Sequence, residues 1–367
     1  MTRSPRRRRT LLVLAVTAAL AWTGAVASAT APDPHDAPRS GRPDRPLAGL
    51  RVLLTNDDSM RALKPTNSDG LGLYEIRKSL CEAGADVVAI APWQVQSGKG
   101  TAVTNGGTLS LSSRPEPLAG YENDCSGTPS GSPVLGVCLA TGPCGPDSPG
   151  ATPADTVKFA LRGGLAAEAG WKDGPDLVVT GINSGPNVSA QVNDSGTVGA
   201  AVAAIDEGVP AIALSSSGDA SQSRFPVANY RAHARFAARF IAGLRERDLF
   251  TDRFALKVDH PDVSAGQRAG RMVWTSVGHG KVVWHAYEAR TPGSDVYDIV
   301  LGVCADEPSA DCTETVRDAD STALLSRGHI TVAPVTADRT YGVRTSGAGQ
   351  RDLARLKRYV EHEAPRS

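Results

Sequence analysis

The chain lacks the features that would assign it to a membrane, to nucleic acid or to a metal held by sulfur and nitrogen. Its N-terminal apolar run, residues 11–22, is too short to span a bilayer. Its 39 basic and 39 acidic residues balance, so no positive surplus favours duplex DNA or RNA. The six cysteines contain no C-x-x-C pair, which leaves a zinc site unsupported. His233, His260, His279, His285 and His329 are scattered, with no H-x-x-x-H pair at helical spacing. Only His260, just after a strand, is kept as a reserve proton donor. A P-loop is excluded because Trp93 stands where the first glycine belongs and Gly100 follows Lys99 where Ser or Thr is required. Ser184 lies in G-I-N-S-G rather than G-x-S-x-G, so the nucleophile turn of a serine hydrolase is missing. There is no internal repeat.

What is present begins with an export address. Arg3 and the arginines at 6–9 precede the apolar run, and Ala27-Ser28-Ala29 follows as a small-residue cleavage site. Residues 1–29 are read as a signal peptide of the Sec or twin-arginine type, and the mature chain is expected outside the cytoplasm. Its removal takes five arginines and no acid, leaving 34 basic against 39 acidic residues. Residues 30–49 are expected to be a disordered leader. The whole 367-residue sequence is 41% apolar and 21% charged, ordinary for a chain with a globular core. An exported chain with six cysteines is expected to form disulfides. Cys304 pairs with Cys312 across a short polar loop. Two of Cys125, Cys138 and Cys144 pair within a Gly-, Ser- and Pro-rich surface insertion at 119–150. Cys81, in a helical pattern, is read as a buried thiol.

The central stretch is residues 51–55, a buried-strand pattern that ends in Asn56-Asp57-Asp58. Two adjacent carboxylates repel unless a cation or proton lies between them. A hard divalent metal suits such oxygen ligands, and a plain Asn/Asp turn is the competing reading. A helix from residue 71 to about 84 and a strand at 86–91 complete a βαβ unit, which implies a parallel sheet. Ser97-Gly98 follows that strand, and Thr152-Pro153-Ala154-Asp155 opens a helix. A strand at 176–180 runs into Gly181-Ile182-Asn183-Ser184-Gly185-Pro186-Asn187. Ser195-Gly196-Thr197-Val198 starts an alanine-rich helix whose N-terminus can bind phosphate, although Ser195 or Thr197 taken alone reads first as a plain N-cap. Next come a strand at 209–215, a helix at 227–247 and a strand at 254–258 that leads into Asp259-His260-Pro261. Residues 271–336 are β-rich and read as an arm outside the main sheet, and 352–363 as a final helix. The expected organisation is an α/β core at 50–260 and a β-rich extension at 261–367.

Taken in order, these motifs resemble the SurE family of survival-protein nucleotidases and acid phosphatases over residues 50–336. Gly328-His329-Ile330-Thr331-Val332-Ala333-Pro334 resembles that family's final strand. The resemblance implies a Rossmann-like α/β fold, mostly parallel and three-layered, with a C-terminal part used in dimerisation or tetramerisation. It implies one divalent metal per subunit, Mg²⁺ or Mn²⁺, and hydrolysis of nucleoside 5′- or 3′-monophosphates or other phosphate monoesters. By position, Asp57, Asp58, Ser97 and Asn183 would be the metal ligands, with Asp57 and Asp58 also catalytic. Asn187, Ser195, Gly196 and Thr197 match positions around the phosphate. The chain departs from the pattern at Ser59, where the family usually has Gly, at Thr101, where many members carry Asn, and in its insertion and export signal.

The chemistry agrees with these residues independently. Monoester hydrolysis needs charge neutralisation on the phosphoryl oxygens and an in-line water. An aspartyl-phosphate mechanism is disfavoured because the acids are adjacent rather than two residues apart. An exported protein that binds a nucleotide or metal without turnover is the non-enzymatic alternative, since fold does not imply function.

Overall fold

A computed structural model describes residues 45–60, 70–113, 119–305, 308–339 and 348–358. The export signal, the leader up to residue 44, the polar segment 61–69 and the helix end beyond residue 358 lie outside the described residues.

The first strand, β1 (Arg51–Thr55), is followed by α1 (Leu71–Glu82) and β2 (Asp86–Pro92). Two short strands, β3 (Ser110–Ser113) and β4 (Val134–Cys138), precede α2 (Pro153–Phe159), which continues through a wider turn into α3 (Leu165–Ala169). Then come β5 (Leu177–Ser184), α4 (Gly196–Asp206), β6 (Ala211–Ser216), α5 (Val227–Glu246) and β7 (Ala255–His260). The helix starts follow their capping chemistry. Thr152 accepts from the Asp155 N–H and the Asp155 carboxylate accepts from the Thr152 N–H, a reciprocal box in front of Pro153.

With β8 (Met272–Trp274) and β11 (Ile330–Val335) these strands form one sheet in the order β3-β4-β2-β1-β5-β6-β7-β11-β8, parallel from β4 through β7. The strands β1, β2, β5 and β6 are buried almost throughout because helices cover both faces. On one face α1 and α5 pack Leu73, Ile76, Tyr230, Ala234 and Ile241 onto the sheet. On the other, α2 to α4 contribute Val157, Leu165, Val198 and Ile205. The strand order reverses between β1 and β5, and in open α/β sheets ligands bind outside the carboxyl ends of the strands at such a switch.

The region expected to lie outside the main sheet divides. Strands β9 (Val283–Ala289) and β10 (Tyr297–Val303) form a separate antiparallel hairpin. Strands β8 (Met272–Trp274) and β11 (Ile330–Val335) instead extend the main sheet, β11 antiparallel to β7. A last helix, α6, spans Ala348–Arg358. Among the described residues no helix is long and apolar enough to cross a membrane.

The cysteines form three disulfides: Cys81–Cys125, Cys138–Cys144 and Cys304–Cys312. The reading of Cys81 as a buried thiol is therefore corrected. Helical periodicity rightly placed it on a buried face of α1, but that face lies under the insertion and meets Cys125 there.

Candidate active site

At the end of β1, Asn56, Asp57 and Asp58 are all buried, with 0%, 2% and 2% exposure. The Asp57 carboxylate faces the N-terminus of α4. Its Oδ1 accepts the Thr197 hydroxyl at 2.6 Å and its Oδ2 accepts the Thr197 N–H at 3.1 Å. Gly196 is glycine for reasons of space, because a Cβ there would lie 2.8 Å from the Asp57 Cβ and 2.9 Å from its Oδ2. Asp58 turns the other way, and its Oδ2 accepts the Ser184 N–H at 2.8 Å, next to Asn183 at the end of β5. The acid pair thus joins the two sides of the switch point.

The loop after β2 closes a third side. The Gln96 N–H donates to the Asp57 carbonyl at 2.7 Å, and Ser97, one residue further, is exposed. Gly100 packs so tightly on α4 that a Cβ on Gly199 would fall 1.8 Å from the Gly100 carbonyl oxygen. Asn183 donates from Nδ2 to the Gly185 carbonyl at 2.8 Å. Asn187 is directed towards β6 and β7: its Nδ2 donates to the Ser215 hydroxyl and its N–H to Asp259 Oδ1, both at 2.9 Å. Ser195 caps α4 by accepting the Val198 N–H at 3.0 Å. The donors at Gly196 and Thr197, expected around a phosphate, are directed at Asp57.

Two adjacent buried carboxyls need a proton or a cation between them. Burial pushes the Asp57 carboxyl up from its ordinary value, against the opposing donors from Thr197 and Gly196. The Asn56 Oδ1 is buried with no hydrogen-bond partner, although Asn56 Nδ2 donates to the Ser59 carbonyl at 2.8 Å. Among the described residues no group of three His, Cys, Asp or Glu side chains forms a metal site. The residues expected to hold a metal offer two carboxylates with neutral hydroxyl and amide oxygens, donors of the kind a hard divalent ion takes rather than zinc.

Behind Asn187 lies a cluster that the sequence reading missed. Lys257, Asp259 and Asp320 are fully buried, and the Lys257 ammonium pairs with Asp259 and, at 2.9 Å, with Asp320. Glu314, nearby, accepts the Ser189 hydroxyl at 2.7 Å. Arg339 donates to the Thr101 hydroxyl at 3.1 Å, on the loop beyond Ser97. His260, the reserve proton donor, is 3% exposed and stacks on His233 with ring centroids 5.3 Å apart. Its Nδ1 lies 2.9 Å from the Pro261 carbonyl oxygen, so the ring is a packing element at the end of β7.

Fold and site together define a Rossmann-like α/β protein with a buried oxygen-donor cluster at its switch point. A family model described as survival protein SurE matches residues 52–283. A protein named 5′-nucleotidase SurE from Nitratidesulfovibrio vulgaris (strain Hildenborough) is 32% identical over 293 residues, covering 79% of this chain and 95% of that protein. Another of that name from Rubrobacter xylanophilus is 31% identical over 315 residues, covering 84% and 99%. The crystal structure of the SurE protein from Aquifex aeolicus superposes with a TM-score of 0.57 at 22% identity, covering 85% of this chain and 99% of that one. The chain belongs to the survival protein SurE family.

Proposed function

We propose that the chain is an exported, metal-dependent phosphoric monoester hydrolase that converts nucleoside 5′- or 3′-monophosphates to nucleoside and phosphate. The observation that carries this reading is the adjacent buried pair Asp57 and Asp58 at the switch point, with the N-terminus of α4 against one of them. Two relatives at about this similarity carry the name 5′-nucleotidase.

Asp57, Asp58, Ser97 and Asn183 are the residues that would hold Mg²⁺ or Mn²⁺. When bound, the ion supplies charge neutralisation at phosphoryl oxygens and lowers the pKa of a coordinated water. Asp57, fixed by Thr197 and Gly196, suits a rigid ligand, and one of the two acids takes the proton of the attacking water. Asn187 has a second Nδ2 hydrogen for a phosphate oxygen. The positive end of the α4 dipole favours negative charge beside Ser195, Gly196 and Thr197. The ester oxygen leaves opposite the incoming water.

Export agrees with three disulfides, which persist in oxidising compartments. The β9–β10 hairpin suits assembly with a second copy. Ile299 pairs with Tyr287 and Leu301 with His285 on one face, and Tyr287, Ile299 and Leu301 are 59–71% exposed. The test is phosphate release from a panel of nucleoside monophosphates and from p-nitrophenyl phosphate, with and without chelator. Chelator-sensitive release from nucleotides is expected. Nucleotide binding with no release under any metal would leave a binding protein on the same scaffold.

A further inference from the structure

The buried cluster behind Asn187 is an expensive arrangement, because ions taken from water destabilise the fold unless their partners compensate. Its three members are brought together from β7 and from a loop about sixty residues later. Each carboxylate uses its two oxygens for two tasks. Asp259 presents Oδ2 to Lys257 and Oδ1 to the Asn187 N–H. Asp320 presents Oδ2 to Lys257, while its Oδ1 accepts the Ser189 N–H at 3.1 Å and the Gly278 N–H at 3.1 Å. One ammonium therefore aligns two carboxylates, and these grip the chain at residues 187 and 189.

The gripped segment needs holding. Ser189 has a left-handed backbone, φ 51°, although it is not glycine, and it is fully buried. That conformation is unfavourable for a residue with a Cβ and persists where the surroundings impose it. Val188 between the two grips is also fully buried. The short helical turn Ser189–Asn193 then leads to Ser195 and the start of α4.

We propose that Lys257, Asp259 and Asp320 form a positioning cluster that sets the Asn187–Ser189 backbone so that the Asn187 amide meets the substrate phosphate. The proposal rests on the phosphate-binding reading of Asn187. These three are positioning residues and touch no reacting atom. The two-task geometry makes a specific demand: an amide has only one acceptor oxygen, so asparagine at position 259 cannot serve both Lys257 and the Asn187 N–H. Removing the lysine as well lifts the conflict, because the one amide oxygen at that position can then face Asn187 while the amide NH₂ faces Asp320.

The experiment compares the full chain with Asp259→Asn, Asp320→Asn and the double variant Lys257→Met/Asp259→Asn. Calorimetry reads inorganic phosphate affinity with Mn²⁺ present, electron paramagnetic resonance reads Mn²⁺ affinity, and turnover of a nucleoside monophosphate gives kcat. Both single variants are expected to lose about 10- to 100-fold in phosphate affinity and kcat, the scale of a misplaced contact. Their Mn²⁺ affinity stays within about twofold of wild type, and the double variant recovers part of the phosphate affinity. Should Asp259→Asn not fold, Asp320→Asn carries the test through the grip on Ser189. A lowered melting temperature with unchanged phosphate affinity and kcat would overturn the proposal, as would a parallel loss of Mn²⁺ affinity. If wild type binds phosphate but hydrolyses no monoester, the hydrolase reading fails while the phosphate measurements still decide the cluster's role.

Discussion

Gly196 is the residue at which packing and chemistry are least separable. Its missing side chain lets Asp57 lie against the first turn of α4, where two backbone donors and the Thr197 hydroxyl hold it. Gly196→Ala is expected to cost about 1–3 kcal/mol of stability through overpacking, and turnover should fall further than stability because the displaced group is Asp57. Thermal melts beside phosphate-release assays check both. Two acids predict opposite pH behaviour in the metal-free chain. Burial, opposed by Lys257 and reinforced by Asp320, raises Asp259 to about 6 from 3.8. The folded chain therefore binds a proton between these values that the unfolded chain lacks, so this contribution is complete below 3.8 and lost as pH rises through about 6. For Glu314, burial acts upward, but donors from Val316, Ser189, His279 and Ser321 outweigh it and lower the group to about 2 from 4.5. Its contribution is complete above 4.5 and lost as pH falls towards 2. Calorimetric melts across pH should show Asp259→Asn removing the first dependence and Glu314→Gln the second. Asp57 and Asp58 were legible because they are contiguous at a strand end. Asp259 was not, because β7 was read as ending at Val258, which placed Asp259 in a loop. In the structure β7 continues to His260, and Lys257 and Asp259, two apart, share one face. Two charges on one face of a buried strand were the available signal, whereas nothing local marks Asp320.

Among the elements, α1 and the insertion illustrate how a covalent link reaches the site. The Cys81–Cys125 bond closes a separation of 44 residues and ties α1 to the 119–150 segment. Tyr121 of that segment packs on Tyr74 at 5.6 Å between ring centroids, and the Tyr74 hydroxyl donates to the Met60 carbonyl at 2.7 Å, two residues after Asp58. Removing the link with Cys81→Ala/Cys125→Ala should cost about 2–4 kcal/mol, read as a lower melting temperature than wild type under non-reducing conditions. The helices and central strands were legible because apolar periodicity and caps agree, as at Thr152 and Asp155. The fate of β8 and β11 was not. A three-residue edge strand and an antiparallel return carry the same local pattern as a detached arm, and only their long-range partners place them in the sheet.

At the scale of the whole molecule, the switch between β1 and β5 concentrates the site at one edge of the sheet, and the β9–β10 hairpin offers an apolar face away from the main sheet's core. If a second copy covers that face, Ile299→Asp should shift the chain to a smaller species by light scattering while leaving the melting of the core near wild type. The central claim is that Asp57 and Asp58 are the catalytic half of a divalent-metal site for phosphate monoesters. It is tested most directly by phosphate release from a nucleoside monophosphate by wild type and Asp57→Asn, both in saturating Mg²⁺ or Mn²⁺, with circular dichroism to confirm the fold. Metal-dependent release by wild type is expected, and none above background from a folded Asp57→Asn chain. Near-wild-type turnover by that variant would contradict the claim.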